Sequence, residues 1–130
     1  MSPLLEVKDL HTYFHTREGT VHAVDGVTFD LEEGETLGLV GESGSGKSLS
    51  ALAIMGLLPP GVQVAGGQVS LFGQESSRLS KKDWRRLRGT RIAMIFQDPM
   101  TSLDPCFKVG SQIVETILAH EDISRADART

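Results

Sequence analysis

Cysteine is nearly absent from this chain, and asparagine is absent altogether. Cys106 is the only thiol, so no internal disulfide can form, as expected of a chain kept in a reducing compartment. A lone cysteine cannot complete a zinc site, and His11, His15, His22 and His120 share no ligand spacing. Long hydrophobic runs are missing too. The longest, from Leu49 to Leu58, is far below the roughly twenty residues that a membrane span needs. Met1-Ser2-Pro3-Leu4-Leu5-Glu6 has no basic segment leading into an apolar one, so no export signal is expected. Positive charge is in deficit. The 13 Lys and Arg against 17 Asp and Glu leave a net charge of −4, which argues against bulk affinity for nucleic acid. No internal repeat or low-complexity tract is visible, and 130 residues with 39% hydrophobic content suffice for a packed core.

What the chain does contain is Gly41-Glu42-Ser43-Gly44-Ser45-Gly46-Lys47-Ser48, which fits G-x-x-x-x-G-K-[ST] at every fixed position. The apolar run from Glu35 to Val40 before it reads as a buried strand. Leu49 to Leu58 after it reads as a helix stopped by Pro59-Pro60. Strand, glycine loop and helix form the context in which this pattern binds phosphate. The glycines let successive N–H groups turn inward, and the helix N-terminus adds a partial positive charge. Lys47 is then placed to reach the β- and γ-phosphates, and the Ser48 hydroxyl to ligate Mg²⁺. The missing asparagine excludes an Asn-Lys-x-Asp guanine-reading motif, so a GTPase is disfavoured.

The rest of the chain alternates short apolar and polar segments. Leu4 to Phe14 and Val21 to Leu31 read as strands separated by a polar loop with Gly19. Val62 and Val64, then Gly66-Gly67, then Val69 to Phe72 read as strand, hairpin turn and strand. Ser80 is placed to cap a short helix with Asp83 in its first turn, ending near Gly89. Arg91 to Phe96 reads as a further buried strand. From Val109 to His120 the positions Ile113, Ile117 and Leu118 recur at helical spacing, and Ser124 to Thr130 is polar.

Gln97 leaves the end of the apolar run 92–96, the place where ligands bind in parallel α/β sheets. Its amide is suited to orienting a water or filling a Mg²⁺ position. Asp98 comes one residue too late to be the acid that ends a magnesium-binding strand, and no Glu follows it. Arg85, Arg86, Arg88 and Arg91, with Lys81, Lys82 and Trp84, read as a solvated helix face with Trp84 and Leu87 turned inward. Met94 and Met100 read most simply as packing residues.

Four segments together resemble a known family. They are Leu5-Glu6-Val7-Lys8-Asp9-Leu10, Ala23-Val24-Asp25-Gly26-Val27-Thr28-Phe29, Gly41 to Ser48, and Met94-Ile95-Phe96-Gln97-Asp98-Pro99-Met100-Thr101-Ser102-Leu103-Asp104-Pro105. The chain is similar to the N-terminal half of an ABC transporter ATPase subunit, and to the dipeptide/oligopeptide importer group in particular. The resemblance implies an α/β P-loop NTPase fold with an antiparallel β region (1–36), a core from the phosphate loop to the Q-loop (37–97) and the start of a helical subdomain (98–130). It implies ATP and Mg²⁺ as cofactors, with Gly41, Ser43, Gly44, Ser45, Gly46, Lys47 and Ser48 around the triphosphate. Leu49 occupies the next position, where many such ATPases have a Thr whose hydroxyl reaches the α-phosphate; Ser50 is the nearby hydroxyl. Gln97 falls on the Q-loop glutamine. The adenine-stacking aromatic falls on Phe14, with Tyr13 one residue out of register. The implied partners are transmembrane permease subunits, a second ATP-binding subunit and, indirectly, a solute-binding protein, with no nucleic acid. The implied place is the cytoplasmic face of the cell membrane.

Val64-Ala65-Gly66-Gly67-Gln68 echoes a signature loop but opens a strand rather than a helix. No signature loop, Walker B aspartate, catalytic glutamate or switch histidine is found, and in such ATPases all of them lie beyond the position of Gln97. The chain is therefore expected to be an N-terminal fragment, with apolar surface left exposed on the runs ending at Val40 and Phe96. A non-catalytic nucleotide-binding module is the alternative.

Overall fold

Apolar residues at alternate positions, broken once at Asp9, build the first strand of the molecule. In the computed structural model, which describes residues 2–42 and 44–130, β1 (Leu5–Thr16) and β2 (Gly19–Leu31) pair antiparallel through a two-residue turn at Arg17-Glu18. On its other side β1 pairs with β3 (Val62–Leu71), and β3 pairs with the short β4 (Gln74–Glu75), giving the order β2-β1-β3-β4. The antiparallel sheet thus draws on residues well beyond the 1–36 region. The chain divides into two compact units, Met1–Trp84 and Arg85–Thr130. The sheet belongs to the first.

Asp9 sits at the irregular point of β1, with φ 47°. Before it, Val7 faces the core; after it, Leu10 and Thr12 do, and all three are fully buried. One extra residue has moved the core face from odd to even positions, the effect of a β-bulge. The Asp9 N–H leaves the ladder and donates to Thr28 Oγ1 at 2.9 Å. Opposite it, Gly66-Gly67 forms no hairpin turn. Both glycines lie inside β3, where Gly67, at φ 83°, lets the two backbones approach. The tight turn comes later, at Phe72-Gly73, with φ 52° and 79°. Two consecutive positive φ values are what a two-residue hairpin requires.

The helix after the glycine loop, α1 (Lys47–Ile54), packs on β1 and β2 and buries Ser50, Ala53 and Ile54. It ends four residues before the point at which Leu58 meets Pro59-Pro60. Gly56, at φ 64°, terminates it: Leu57 N–H donates to Leu52 C=O at 2.8 Å and Gly56 N–H to Ala53 C=O at 3.1 Å. That pair of bonds is a Schellman motif, and the prolines merely follow it.

Ser76–Arg78 forms one 3₁₀ turn, and α2 (Lys81–Leu87) starts with the expected cap. Ser80 Oγ accepts from Asp83 N–H at 3.1 Å, while the Asp83 carboxylate accepts from Ser80 N–H at 2.9 Å and from Ser80 Oγ at 2.7 Å. This is a reciprocal capping box. Trp84 is half-buried and lines, with Ala53, Leu58, Val64 and Val69, a cavity of about 320 Å³ in the first unit.

Two expected strands are absent. Residues 35–40 have no regular structure, with Leu37 and Leu39 exposed and Val40 95% exposed. Residues 93–96 are irregular as well, with one parallel bridge between Arg88 and Ile92 and with Ile95 97% exposed. A strand exists only where a neighbour takes up its N–H and C=O groups. Every strand pair of the four-stranded sheet is antiparallel, and neither segment joins it.

In the second unit, a 3₁₀ turn at Pro99–Thr101 precedes α3 (Val109–His120), whose bounds match those read from its periodicity. Val114 is buried, Ile117 and Leu118 are half-buried, and Ile113 is exposed. Gln112 clasps the preceding loop: its Oε1 accepts from Asp104 N–H at 2.8 Å, and its Nε2 donates to Asp104 C=O at 2.8 Å and to Phe107 C=O at 3.1 Å. The polar C-terminal stretch forms a short α4 (Arg125–Ala128) capped by Ser124, which accepts from Asp127 N–H at 3.1 Å. Among the described residues, no helix is long and apolar enough to cross a membrane.

Candidate functional site

Glycines determine the shape of the loop before α1. Gly44 and Gly46 have φ 83° and 94°, values that L side chains rarely adopt. At Gly46 a Cβ would lie 2.5 Å from the Ala23 carbonyl oxygen and 3.4 Å from Val24 Cγ2. The loop therefore rests directly on the backbone of β2, an anchor that only glycine permits. At Gly41 a Cβ would meet Ser45 Oγ at 2.5 Å. Ser45 N–H donates to Glu42 C=O at 3.1 Å and closes the turn. Ser43 lies outside the described residues.

Gly46 is the N-cap of α1, and no side chain caps that end. The first turn of the helix carries no acid. N–H groups left without a side-chain cap, the positive end of the helix dipole and a first turn without a carboxylate together suit an anion. Ser48 is exposed in that turn and Leu49 is half-buried behind it. Ser50 does not supply the hydroxyl that Leu49 lacks. It is 4% exposed, and its Oγ donates to Gly46 C=O at 2.8 Å, turned back along the helix.

Lys47 does not project freely into solvent. Its side chain is half-buried, and its Nζ donates to the carbonyls of Gly41 and, at 3.3 Å, Glu42. The ammonium spans the loop from inside, held by two neutral acceptors. Phosphate oxygens are stronger acceptors for a cation than carbonyls are, so the residues present fit a nucleotide triphosphate.

Tyr13 and Phe14 are consecutive in β1 and so project from opposite faces, and the bulge at Asp9 sets which of them lies on the core side. Leu10, Thr12 and Phe14 share the face of β1 that carries the core, and on that face Val24, the partner of Thr12 in β2, lies against Gly46 at the start of α1. Tyr13 projects from the other face, where its ring lies 4.1 Å from that of His22 and 6.3 Å from that of His11. His11 is within ion-pair distance of two carboxylates there, Asp9 at 3.1 Å and Asp25 at 3.2 Å.

Gln97 belongs to the second unit and stands exposed after the irregular segment 93–96. Asp98 is committed locally: its Oδ1 accepts from Met100 N–H at 3.1 Å and starts the 3₁₀ turn. The structure thus gathers Gly41, Gly44, Ser45, Gly46, Lys47, Ser48 and Leu49 into one site. The contact between Gly46 and Ala23, which sets the loop on the sheet, had no signal in the sequence beyond the glycine itself.

The family profile described as ABC transporter matches residues 24–129. The chain is 48% identical over 126 residues to the dipeptide transport ATP-binding protein DppD of Lactococcus lactis, covering 96% of this chain and 36% of that protein. It is 51% identical over 127 residues to the oligopeptide transport ATP-binding protein OppD of Bacillus subtilis, covering 97% and 36%. The dimeric structure of MJ0796, a bacterial ABC transporter cassette, superposes with a TM-score of 0.81 at 21% identity, over 96% of this chain and 52% of that one. The chain spans less than two fifths of the length of both relatives. Its fold is that of the P-loop ATPase cassette. With four fifths of its length inside the family profile and near-complete coverage by peptide-transport relatives, the chain belongs to the ABC transporter family.

Proposed function

We propose that this chain carries the nucleotide-binding loop of an ATP-binding subunit from an ABC importer of dipeptides or oligopeptides. The observation that supports it most is the loop from Gly41 to Ser48. Its Gly46 is held on β2, its helix end has no side-chain cap, and its lysine is poised on neutral acceptors. In this reading Gly41, Ser43, Gly44, Ser45, Gly46, Lys47, Ser48 and Leu49 surround the triphosphate. Lys47 exchanges its carbonyl acceptors for β- and γ-phosphate oxygens. Mg²⁺ carried with ATP would neutralise developing charge on those oxygens, held by Ser48 and Gln97. Gln97 orients the attacking water. Its amide is neutral and a poor proton acceptor, so it positions rather than activates.

Hydrolysis in the assembled protein would need a second ATP-binding subunit to complete each site, and transmembrane permease subunits to convert it into uptake. A solute-binding protein would deliver the peptide to the permease. The place of work is the cytoplasmic face of the membrane, bound from outside the bilayer.

Phe14 is the adenine-stacking residue in this reading, because it shares the sheet face of α1 while Tyr13 does not. Base–aromatic stacking is worth about 1–3 kcal/mol, so Phe14→Ala should weaken ATP binding by roughly 5- to 100-fold. Inorganic triphosphate, which has no base, should bind both forms alike. Titrations of the two ligands into Phe14→Ala and Tyr13→Ala would reveal the residue. If Tyr13→Ala carries the loss and Phe14→Ala does not, the assignment is wrong.

The 130-residue chain alone should not turn over ATP. Asp98, the carboxylate nearest Gln97 in sequence, is engaged with Met100 N–H, and no other acid is assigned to water. Phosphate release measured with MgATP should stay below the order of 1 s⁻¹, the lower end of typical enzyme rates. Faster turnover would show that a catalytic acid in this chain has been overlooked.

A further inference from the structure

The chain is acidic overall, yet its cations are concentrated in one place. Seven of the 13 Lys and Arg lie between Arg78 and Arg91, and of the 17 Asp and Glu only Asp83 falls there. Helix α2 sorts them by face. At 3.6 residues per turn, Lys81, Arg85, Lys82 and Arg86 occupy an arc of roughly 140°, while Asp83, Leu87 and Trp84 occupy the opposite side. The structure agrees with this geometry: the four cations are exposed, and Asp83, Trp84 and Leu87 are half-buried. Asp83 is held by Ser80, and Arg78 by Glu75 at 3.3 Å. Lys81, Lys82, Arg85 and Arg86 form no ion pair among the described residues. Four unneutralised charges therefore project from one short helix, about 10 Å long.

This face diverges. A small phosphorylated ligand needs donors that converge on it, whereas an outward arc of long, flexible cations suits an extended array of phosphates. It also carries no aromatic, since Trp84 is on the other side, so it lacks the stacking platform of a single-strand nucleic-acid groove. Charges more than about 10 Å away are largely screened at physiological salt, so the net charge of −4 does not cancel a local patch. We infer that the cationic face of α2 docks on anionic lipid headgroups of the membrane at which the subunit works. The inference rests on the membrane-associated reading above and adds a direct lipid contact to it.

Flotation of the full 130-residue chain with vesicles tests this. The chain should float with phosphatidylcholine vesicles containing about one third phosphatidylglycerol, and not with pure phosphatidylcholine. Added salt should release it. Each Lys or Arg near an anionic surface contributes about fivefold in affinity, so Lys81→Gln/Lys82→Gln/Arg85→Gln/Arg86→Gln should lower binding several-hundredfold, to background. Lys substitutions at Arg85 and Arg86 keep the charge and should retain binding. Binding of a fluorescent ATP analogue on the same samples should be equal in all forms, and it reports on the glycine loop independently of α2. The inference is overturned if the four-glutamine variant floats like the wild type, or if the wild type ignores anionic vesicles. It is equally overturned if polyglutamate captures the chain and the vesicles do not, because the partner is then an acidic polypeptide.

Discussion

Replacing Lys47 by Ala is expected to lower the affinity for MgATP by roughly 10- to 100-fold, the weight of one or two charge-assisted hydrogen bonds. The fold should survive. Among the described residues Lys47 hydrogen-bonds only to the loop that carries it, through the carbonyls of Gly41 and Glu42. Loss of those two bonds frees acceptors on exposed residues that water can satisfy. Calorimetric titration alongside circular dichroism separates the two effects. Weakened binding with unchanged helix and strand signals would assign Lys47 to phosphate. Equal affinity in both proteins would remove the loop from the account.

Gly67→Ala should damage the fold severely without touching the site. Gly67 lies at φ 83°, and a Cβ there would sit 2.1 Å from the Asp9 carbonyl oxygen and 2.5 Å from that of Lys8. Both contacts are with backbone, so no side chain can swing aside. The bulge has no slack either, because Asp9 is itself at φ 47° and its N–H is committed to Thr28 Oγ1. Relief requires β1 and β3 to separate at the centre of the sheet. A cost of about 3 kcal/mol or more is expected, a large fraction of the roughly 5–15 kcal/mol that a small domain has in total. Gly61→Ala is the control. That residue has nearly the same φ, 85°, but nothing within 4 Å of its Cβ position. Only the left-handed conformation is penalised there, at about 1–2 kcal/mol. Urea denaturation of the two variants should differ by at least the cost of the clash. Equal destabilisation would mean that the two strands are not packed as described.

Local signals in the sequence proved reliable where the structure is local. The capping box at Ser80 and Asp83 and the bounds of α3 depend on residues a few positions apart, and both were legible. The helix end at Gly56 was also encoded nearby, but Pro59-Pro60 is the louder signal and drew the boundary too far along. Glycine was ambiguous for a physical reason. A positive φ serves a hairpin at Phe72-Gly73 and, at Gly67, a close approach of strands opposite the bulge, and only strand pairing distinguishes the two uses. The runs ending at Val40 and Phe96 depart from the strand pattern for another reason. Their apolar composition reports that they are meant to be covered, not that this chain supplies the cover. Unpaired, they remain irregular and exposed. For the site itself, the eight-residue motif was enough to place the loop. The choice between Phe14 and Tyr13 was not open to periodicity, because the bulge at Asp9 shifts the faces of β1 by one residue.

Amide chemical shifts test most directly whether the backbone from Gly41 to Leu49 forms the phosphate site. Inorganic triphosphate with Mg²⁺, titrated into ¹⁵N-labelled protein, should move the amide signals of Gly44, Ser45, Gly46, Lys47 and Ser48 most. Those of the cationic helix α2 should move little. Shifts concentrated on α2 or spread evenly over the chain, with the loop amides unmoved, would contradict the account.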